Sequence, residues 1–129
     1  MYIPEGFGTI TPYLFVNGAD AFSKFVVRAF GGLETGRTTR PNGVIANIQM
    51  EIGTSMIMVS EASDQYPAMQ AAYYIYVEDA DSAMNQAISA GGVLEMDVAD
   101  MPYGDRQGGI KDPFGNIWWI SQRLVDEPY

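Results

Sequence analysis

The chain is predicted to be an α+β protein: one domain, residues 1–129, built from two tandem βαβββ modules. Three observations predict this. The sequence repeats with an offset of 61 residues: Val16-Asn17-Gly18-Ala19-Asp20 returns as Val77-Glu78-Asp79-Ala80-Asp81, Gly31, Leu33 and Glu34 return as Gly92, Leu94 and Glu95, and Pro41 and Gly43 return as Pro102 and Gly104. Each copy holds one stretch of helical periodicity that ends on a glycine pair. The remaining stretches alternate with a period of two between turn residues. Halves related in this way pack about a pseudo-twofold axis, so the cleft between them is the expected ligand site.

The first module is predicted over residues 8–62. Thr9–Val16 alternates as a strand, with Leu14 and Val16 on one side and Thr11, Tyr13 and Phe15 on the other. Asn17-Gly18 breaks it. Ala19–Phe30 is a helix whose apolar stripe is Phe22, Phe25, Val26, Ala29 and Phe30, closed by Gly31-Gly32. Leu33–Thr39 is a short polar strand, and Pro41-Asn42-Gly43 signals a hairpin. Val44–Ile52 places Ala46, Ile48, Met50 and Ile52 on one face and Asn47, Gln49 and Glu51 on the other. Ser55–Glu61 is the last strand, and a loop covers 62–70.

The second module, residues 70–124, repeats the order. Ala72–Val77 is a tyrosine-rich strand and Ala80–Ala90 a helix with Asp81 near its positive end. Val93–Met101 is a strand, Pro102-Tyr103-Gly104-Asp105 a turn. The strands Arg106–Lys111 and Ile117–Gln122 are joined by the turn Asp112-Pro113-Phe114-Gly115. Asp112 is expected to accept backbone N–H bonds within that turn. Val125–Tyr129 is expected to fray.

Composition narrows function. Seven basic and sixteen acidic residues give a net charge of −9, which argues against nucleic acid and favours a cationic ligand. The bland reading of that charge is solubility. No apolar run approaches the ~20 residues of a membrane span. The absence of cysteine and of a secretory pattern at the start fits a cytoplasmic protein. The absence of histidine removes the commonest general base and transition-metal ligand. The glycine pairs follow helices, whereas phosphate loops precede them.

The order βαβββ–βαβββ, with Pro102-Tyr103-Gly104-Asp105-Arg106-Gln107-Gly108 leading to Asp112-Pro113-Phe114-Gly115-Asn116-Ile117-Trp118-Trp119, resembles the vicinal oxygen chelate superfamily over residues 8–124. That superfamily includes glyoxalase I, bleomycin-resistance proteins and extradiol dioxygenases, and the resemblance implies their shared fold. Metal-using relatives hold one divalent ion with four side chains. The resemblance puts those places at Thr11, Met58, Ala72 and Trp119, and the 61-residue offset relates them pairwise. Of these only Thr11 offers even a weak ligand, so no metal site and no cofactor are expected. Histidines common in the subgroup are replaced here by Asn47 and Asn116.

Alternation from those four places names a mostly aromatic lining: Tyr13, Phe15, Met56, Ser60, Tyr74, Tyr76, Ile117 and Ser121, with Asn47, Gln49 and Glu51 from the third strand. Tyr103 and Arg106, at the second hairpin, complete the ligand-binding set. Trp119, Tyr74 and Tyr76 suit stacking on a planar ring or a cation. Met56 and Met58 suit ligands of varied shape. Duller roles fit as well: tyrosines as cross-strand packing, methionines as core filler, Glu51 as a solvated strand residue. Trp118 is expected under a helix, and an Asp105–Arg106 pair is expected to tie down its loop.

Three functions compete. One is a metal-free, bleomycin-resistance-like protein that binds an aromatic or cationic small molecule. Another is a metal-independent lyase or isomerase using Glu51, Tyr74 or Tyr13 for proton transfer. The last is a homodimeric module with a vestigial site.

Overall fold

Alternation and turn chemistry produce two four-stranded sheets, each with one helix against one face, in a computed structural model that describes residues 1–129. The elements are β1 (Tyr13–Val16), α1 (Ala19–Phe30), β2 (Leu33–Thr39), β3 (Ile45–Ile52) and β4 (Ser55–Glu61), then β5 (Ala72–Tyr76), α2 (Ala80–Ser89), β6 (Val93–Asp100), β7 (Asp105–Lys111) and β8 (Ile117–Arg123). The tandem βαβββ order is the one anticipated. The chain forms two compact units, Met1–Met69 and Gln70–Tyr129, called here module one and module two. No helix is long and apolar enough to cross a membrane.

In module one the strand order is β1-β4-β3-β2, with β1 parallel to β4 and the other pairs antiparallel. Phe22, Phe25, Val26 and Ala29 of α1 are buried together with Leu14, Val16, Ile48, Met50, Ile57 and Val59 of the sheet. Each of the larger side chains contributes about 1.5–3 kcal/mol by leaving water, so this layer holds the module together. β1 begins at Tyr13 rather than Thr9; Pro12, which has no N–H, precedes it and takes part only through its carbonyl, which accepts from Met58 N.

The start of α1 is capped from outside the helix. Gly18, at φ 98°, has no side chain to cap with. Glu61, at the end of β4, accepts the N–H groups of Gly18 and Ala19, each at 2.9 Å, and sets a negative charge at the positive helix end. Gln122 holds the equivalent place in module two and accepts Ala80 N at 3.0 Å, but there Asp79 also caps, accepting Ser82 N at 3.1 Å. Glu61→Ala should therefore lower stability by about 1–2 kcal/mol in urea unfolding, and Gln122→Ala by less. Equal losses would show that α1 does not depend on this single cap.

Module two has the order β5-β8-β7-β6, with β5 parallel to β8. Ala80, Met84 and Ala87 of α2 pack with Ile110, Trp118 and Ile120. Trp118 is buried and its ring lies 4.5 Å from that of Tyr73, whereas Trp119 is on the opposite face over Gly109, as the repeat anticipated for the pair. A Cβ on Gly109 would come within 2.6 Å of the Trp119 ring, so glycine is what lets the indole lie flat on the sheet.

The turn from β7 to β8 spans 112–116, longer than the Gly53-Thr54 turn of module one, and is organised by Asp112. Its Oδ1 accepts Phe114 N and Asn116 N, both at 2.9 Å. Its Oδ2 accepts Asn116 Nδ2 at 3.1 Å and Trp118 Nε1 at 2.9 Å. Asn116 Oδ1 in turn accepts Ala71 N at 2.9 Å, which fastens the start of β5. Asp112 and Asn116 are both buried, so this network is part of the core.

The repeat is less uniform in space than in sequence. Tyr13 opposite Met58 corresponds to Tyr74 opposite Trp119, an offset of 61. Leu33 opposite Glu51 corresponds to Val93 opposite Lys111, so through the start of β2 and most of β3 the offset is 60. The glycine packed against the sheet is thus Gly32 in one module and Gly92 in the other; the Gly31–Gly92 correspondence is displaced by one residue. Register shifts in the β2–β3 and β6–β7 pairs and the longer 112–116 turn absorb the difference.

Candidate functional site

Alternation along β5, β7 and β8 brings Tyr74, Tyr76, Asp105, Gln107, Trp119, Ser121 and Arg123 to the face of module two that α2 does not cover. Asp105 pairs in register with Arg123, and Gln107 with Ser121. The Asp105 carboxylate is out of contact with water, though only a thin cover of tyrosines separates it from solvent. Arg123 Nη1 donates to Asp105 Oδ1 at 2.9 Å. The hydroxyls of Tyr74 and Tyr129 donate to Oδ2, the latter at 2.6 Å. Tyr103 donates to Gln107 Oε1, and Tyr74 has that oxygen 3.2 Å away. Tyr74, Tyr76, Tyr103 and Tyr129 line an open groove of about 320 Å³.

The electrostatics follow from these contacts. Burial pushes the Asp105 carboxyl up, but the donated bonds from Tyr129, Tyr74 and Arg123 outweigh it and hold the group below its ordinary value of 3.8. Tyr74 is raised by burial and by donating to Asp105. Tyr129 is raised, first of all by its bond to Asp105. At neutral pH the site holds one carboxylate anion, one guanidinium and the neutral phenols of Tyr74 and Tyr129.

Two sequence expectations are corrected here. Asp105 and Arg106 form no pair: β7 begins at Asp105, so the two neighbours point to opposite faces. Arg106 bonds Asp81 of α2 and Asp100 of β6, each at 2.9 Å, on the helix side of the sheet. The segment after β8 is also tied down rather than frayed. Leu124 N donates to Gly104 O at 2.9 Å, Arg123 Nη2 donates to Glu127 O, and the Tyr129 ring lies 4.3 Å from the Arg123 guanidinium carbon. Sequence reasoning missed Asp105, Arg123 and Tyr129 as site residues; an isolated tyrosine closing a polar stretch was the one available hint.

Module one presents its own open face. Tyr13, Met58 and Gln49 lie side by side in register, Met56 is opposite Glu51, and Asn47 is next to the Ser60 row. Tyr13 and Ser60 hydroxyls are 2.6 Å apart, and Ser60 Oγ donates to Ala46 O at 2.7 Å. The following loop covers part of this face: Tyr66 stacks on Phe15 with centroids 5.2 Å apart, and Met69 N donates to Phe15 O. Glu51 is exposed. A larger hollow of about 540 Å³ lies between α1 and β2, but Asp20, Lys24, Glu34 and Arg37 pair among themselves there.

The four places that the family resemblance assigns to metal ligands carry side chains that do not fit a metal. In module one Thr11 immediately precedes Pro12, whose carbonyl is taken by Met58 N, and Met58 carries only a thioether; in module two Ala72 and Trp119 share the open face. No three acidic side chains gather into a cation site anywhere in the chain. Asn116 is spent on Asp112 and Ala71.

The family model of the Glyoxalase/Bleomycin resistance protein/Dioxygenase superfamily matches residues 6–120. An uncharacterised protein of Mycobacterium tuberculosis (strain ATCC 25618 / H37Rv) is 28% identical over 127 residues, which cover 88% of this chain and 73% of that one. Among solved structures, TioX from Micromonospora sp. ML1 is similar with a TM-score of 0.73 at 22% identity, covering 94% of this chain and 100% of TioX. TnmS3, described as an antibiotic binding protein from Streptomyces sp. CB03234, has a TM-score of 0.66 at 16% identity, covering 95% and 98% of the two chains. At these identities the two structures establish likeness of fold.

Proposed function

Because the chain belongs to the Glyoxalase/Bleomycin resistance protein/Dioxygenase superfamily, we propose that it is a small-molecule-binding protein of the bleomycin-resistance type, holding an aromatic or cationic ligand without a metal ion. The observation that carries this reading is the groove of Tyr74, Tyr76, Tyr103 and Tyr129 over the Asp105 carboxylate. Tyrosines offer large, rigid faces at low entropic cost, with hydroxyls to orient a ligand. Residues 70–129 hold ten of the sixteen acids and three of the seven bases, a field that draws cations to this module. TnmS3, an antibiotic binding protein, provides a precedent for such a role on this fold.

The lyase or isomerase reading is weaker on the same geometry. A general base works best with a pKa near the operating pH. Tyr74 is shifted up, away from neutrality, and Asp105 is shifted down with both oxygens already accepting bonds. For assembly we propose a homodimer, supported by the exposed Val93 and Leu94 on the edge strand β6. Sedimentation showing only particles of 14.2 kDa at micromolar concentration would remove that part.

Thermal shift against planar aromatic and cationic drugs and dyes tests the binding function. A true ligand at one hundred times its Kd should add about 2.7 kcal/mol of stability. Tyr76→Ala, which removes one wall of the groove, should weaken that ligand at least tenfold. A panel without a single stabilising compound would end the reading.

A further inference from the structure

Module one serves as an internal control for module two. In module one the Tyr13 hydroxyl meets Ser60 Oγ at 2.6 Å, diagonally across the face. The equivalent pair in module two is Tyr74 and Ser121, at the same offset of 61 and in the same register. Yet Tyr74 turns to Asp105, and Ser121 Oγ is buried beside it without a well-formed hydrogen bond. The position corresponding to Asp105 near the first hairpin is Val44, which carries no charge. The module architecture therefore does not require a carboxylate here. Burying one has a desolvation cost.

What the carboxylate does hold is Tyr129. That side chain is 71% exposed, attached to no regular element, and fixed only through its end groups and one face. Its hydroxyl donates to Asp105 Oδ2 at 2.6 Å and, having one proton, accepts from Tyr76 at 2.7 Å. Its ring lies against the Arg123 guanidinium at 4.3 Å. An aromatic ring bearing a hydroxyl is thus already seated in a subsite made of a carboxylate, a phenol donor and a guanidinium plate.

We infer that Tyr129 is a displaceable internal ligand, and that this subsite takes an uncharged aromatic ring carrying a hydroxyl, a phenol, from the molecule the protein binds. This rests on the binding function proposed above and narrows it. Arg123 already matches the charge of Asp105, and its guanidinium faces the ring, so an aromatic cation would meet a like charge there. A phenolate would meet the carboxylate. A neutral phenol satisfies both neighbours, as Tyr129 does.

The test is calorimetric titration of the wild type and Tyr129→Ala with three probes: 4-ethylphenol, its methyl ether 4-ethylanisole, and 2-phenylethylammonium. If Tyr129 fills its seat for nine-tenths of the time, vacating it should tighten 4-ethylphenol about tenfold, because apparent affinity scales with the competent fraction. The ether and the ammonium should gain nothing. In the wild type, 4-ethylphenol should also shift the NMR signals of the Arg123 Nε–H and the Tyr129 ring, and the ether should not; this reading does not depend on the variant folding. No gain for the phenol, an equal gain for the ether, or unmoved Arg123 and Tyr129 signals would overturn the proposal. Binding of all three probes without preference for the hydroxyl sinks this inference alone, and binding of none by either protein sinks the groove as a ligand site as well.

Discussion

Asp112→Ala should destabilise module two by about 3–5 kcal/mol. The carboxylate is buried and accepts four bonds, two from backbone N–H groups of its own turn and two from the side chains of Asn116 and Trp118. Removing it takes the acceptor from donors that lie in the core, and an unsatisfied buried group costs about 1–3 kcal/mol. The loss spreads to β5, because Asn116, which Asp112 orients, is what receives Ala71 N. Asp112→Asn should lose less, since one oxygen remains to accept from the turn while the amide presents a donor to other donors. Urea unfolding followed by tryptophan fluorescence measures both, because Trp118 is bonded to the altered side chain. A loss below 1 kcal/mol for the alanine variant would show that the turn holds itself together.

Asp105→Ala should cost about 2–4 kcal/mol, and Asp105→Asn less, with a change in pH dependence that identifies the cause. The folded Asp105 carboxyl lies below its ordinary value of 3.8. A depressed folded pKa contributes stability that is fully present above the unfolded value and is lost as pH falls through the folded one. The wild type should therefore lose stability from about pH 4 downward, and Asp105→Asn should show a shallower acid limb. The phenols act in the opposite sense. Tyr74 and Tyr129 are raised above 10.0, so their contribution is complete below pH 10 and declines as pH rises beyond it. Since the bond to Asp105 is the first cause of the shift at Tyr129, Asp105→Asn should bring a tyrosine titration down toward 10 in ultraviolet difference spectra. Identical acid limbs in wild type and variant would remove Asp105 from the account.

Much of the fold was legible in the residues. Phe22, Phe25, Val26 and Ala29 recur at helical spacing and are the buried stripe of α1; Leu14 and Val16 alternate with Tyr13 and Phe15 and are the core side of β1. The separation of Trp118 from Trp119 followed from alternation and the repeat. The place where reading by offset failed is the middle of each module: register shifts change the count between Gly32 and Gly92, and a bulge leaves no strong local mark in a sequence. The site was legible only in part. Tyr74, Tyr76 and Tyr103 were named from their positions, and they do line the groove. Arg106 was named from its nearness to the turn, and it sits on the helix side because β7 starts one residue earlier than its sequence suggests.

By itself, the order of residues determined the tandem βαβββ plan and the faces of the strands. Those properties depend on periodicity, turn chemistry and residue type, which act within a few positions along the chain. Only the tertiary structure decided which charges meet. Asp105 finds Arg123, Tyr74 and Tyr129 at separations of 18, 31 and 24 residues, and leaves its neighbour Arg106 to Asp81 and Asp100. Strand register, which side of a sheet a residue takes and where a tail comes to rest are set by packing across the whole module, so no local pattern could have assigned those partners.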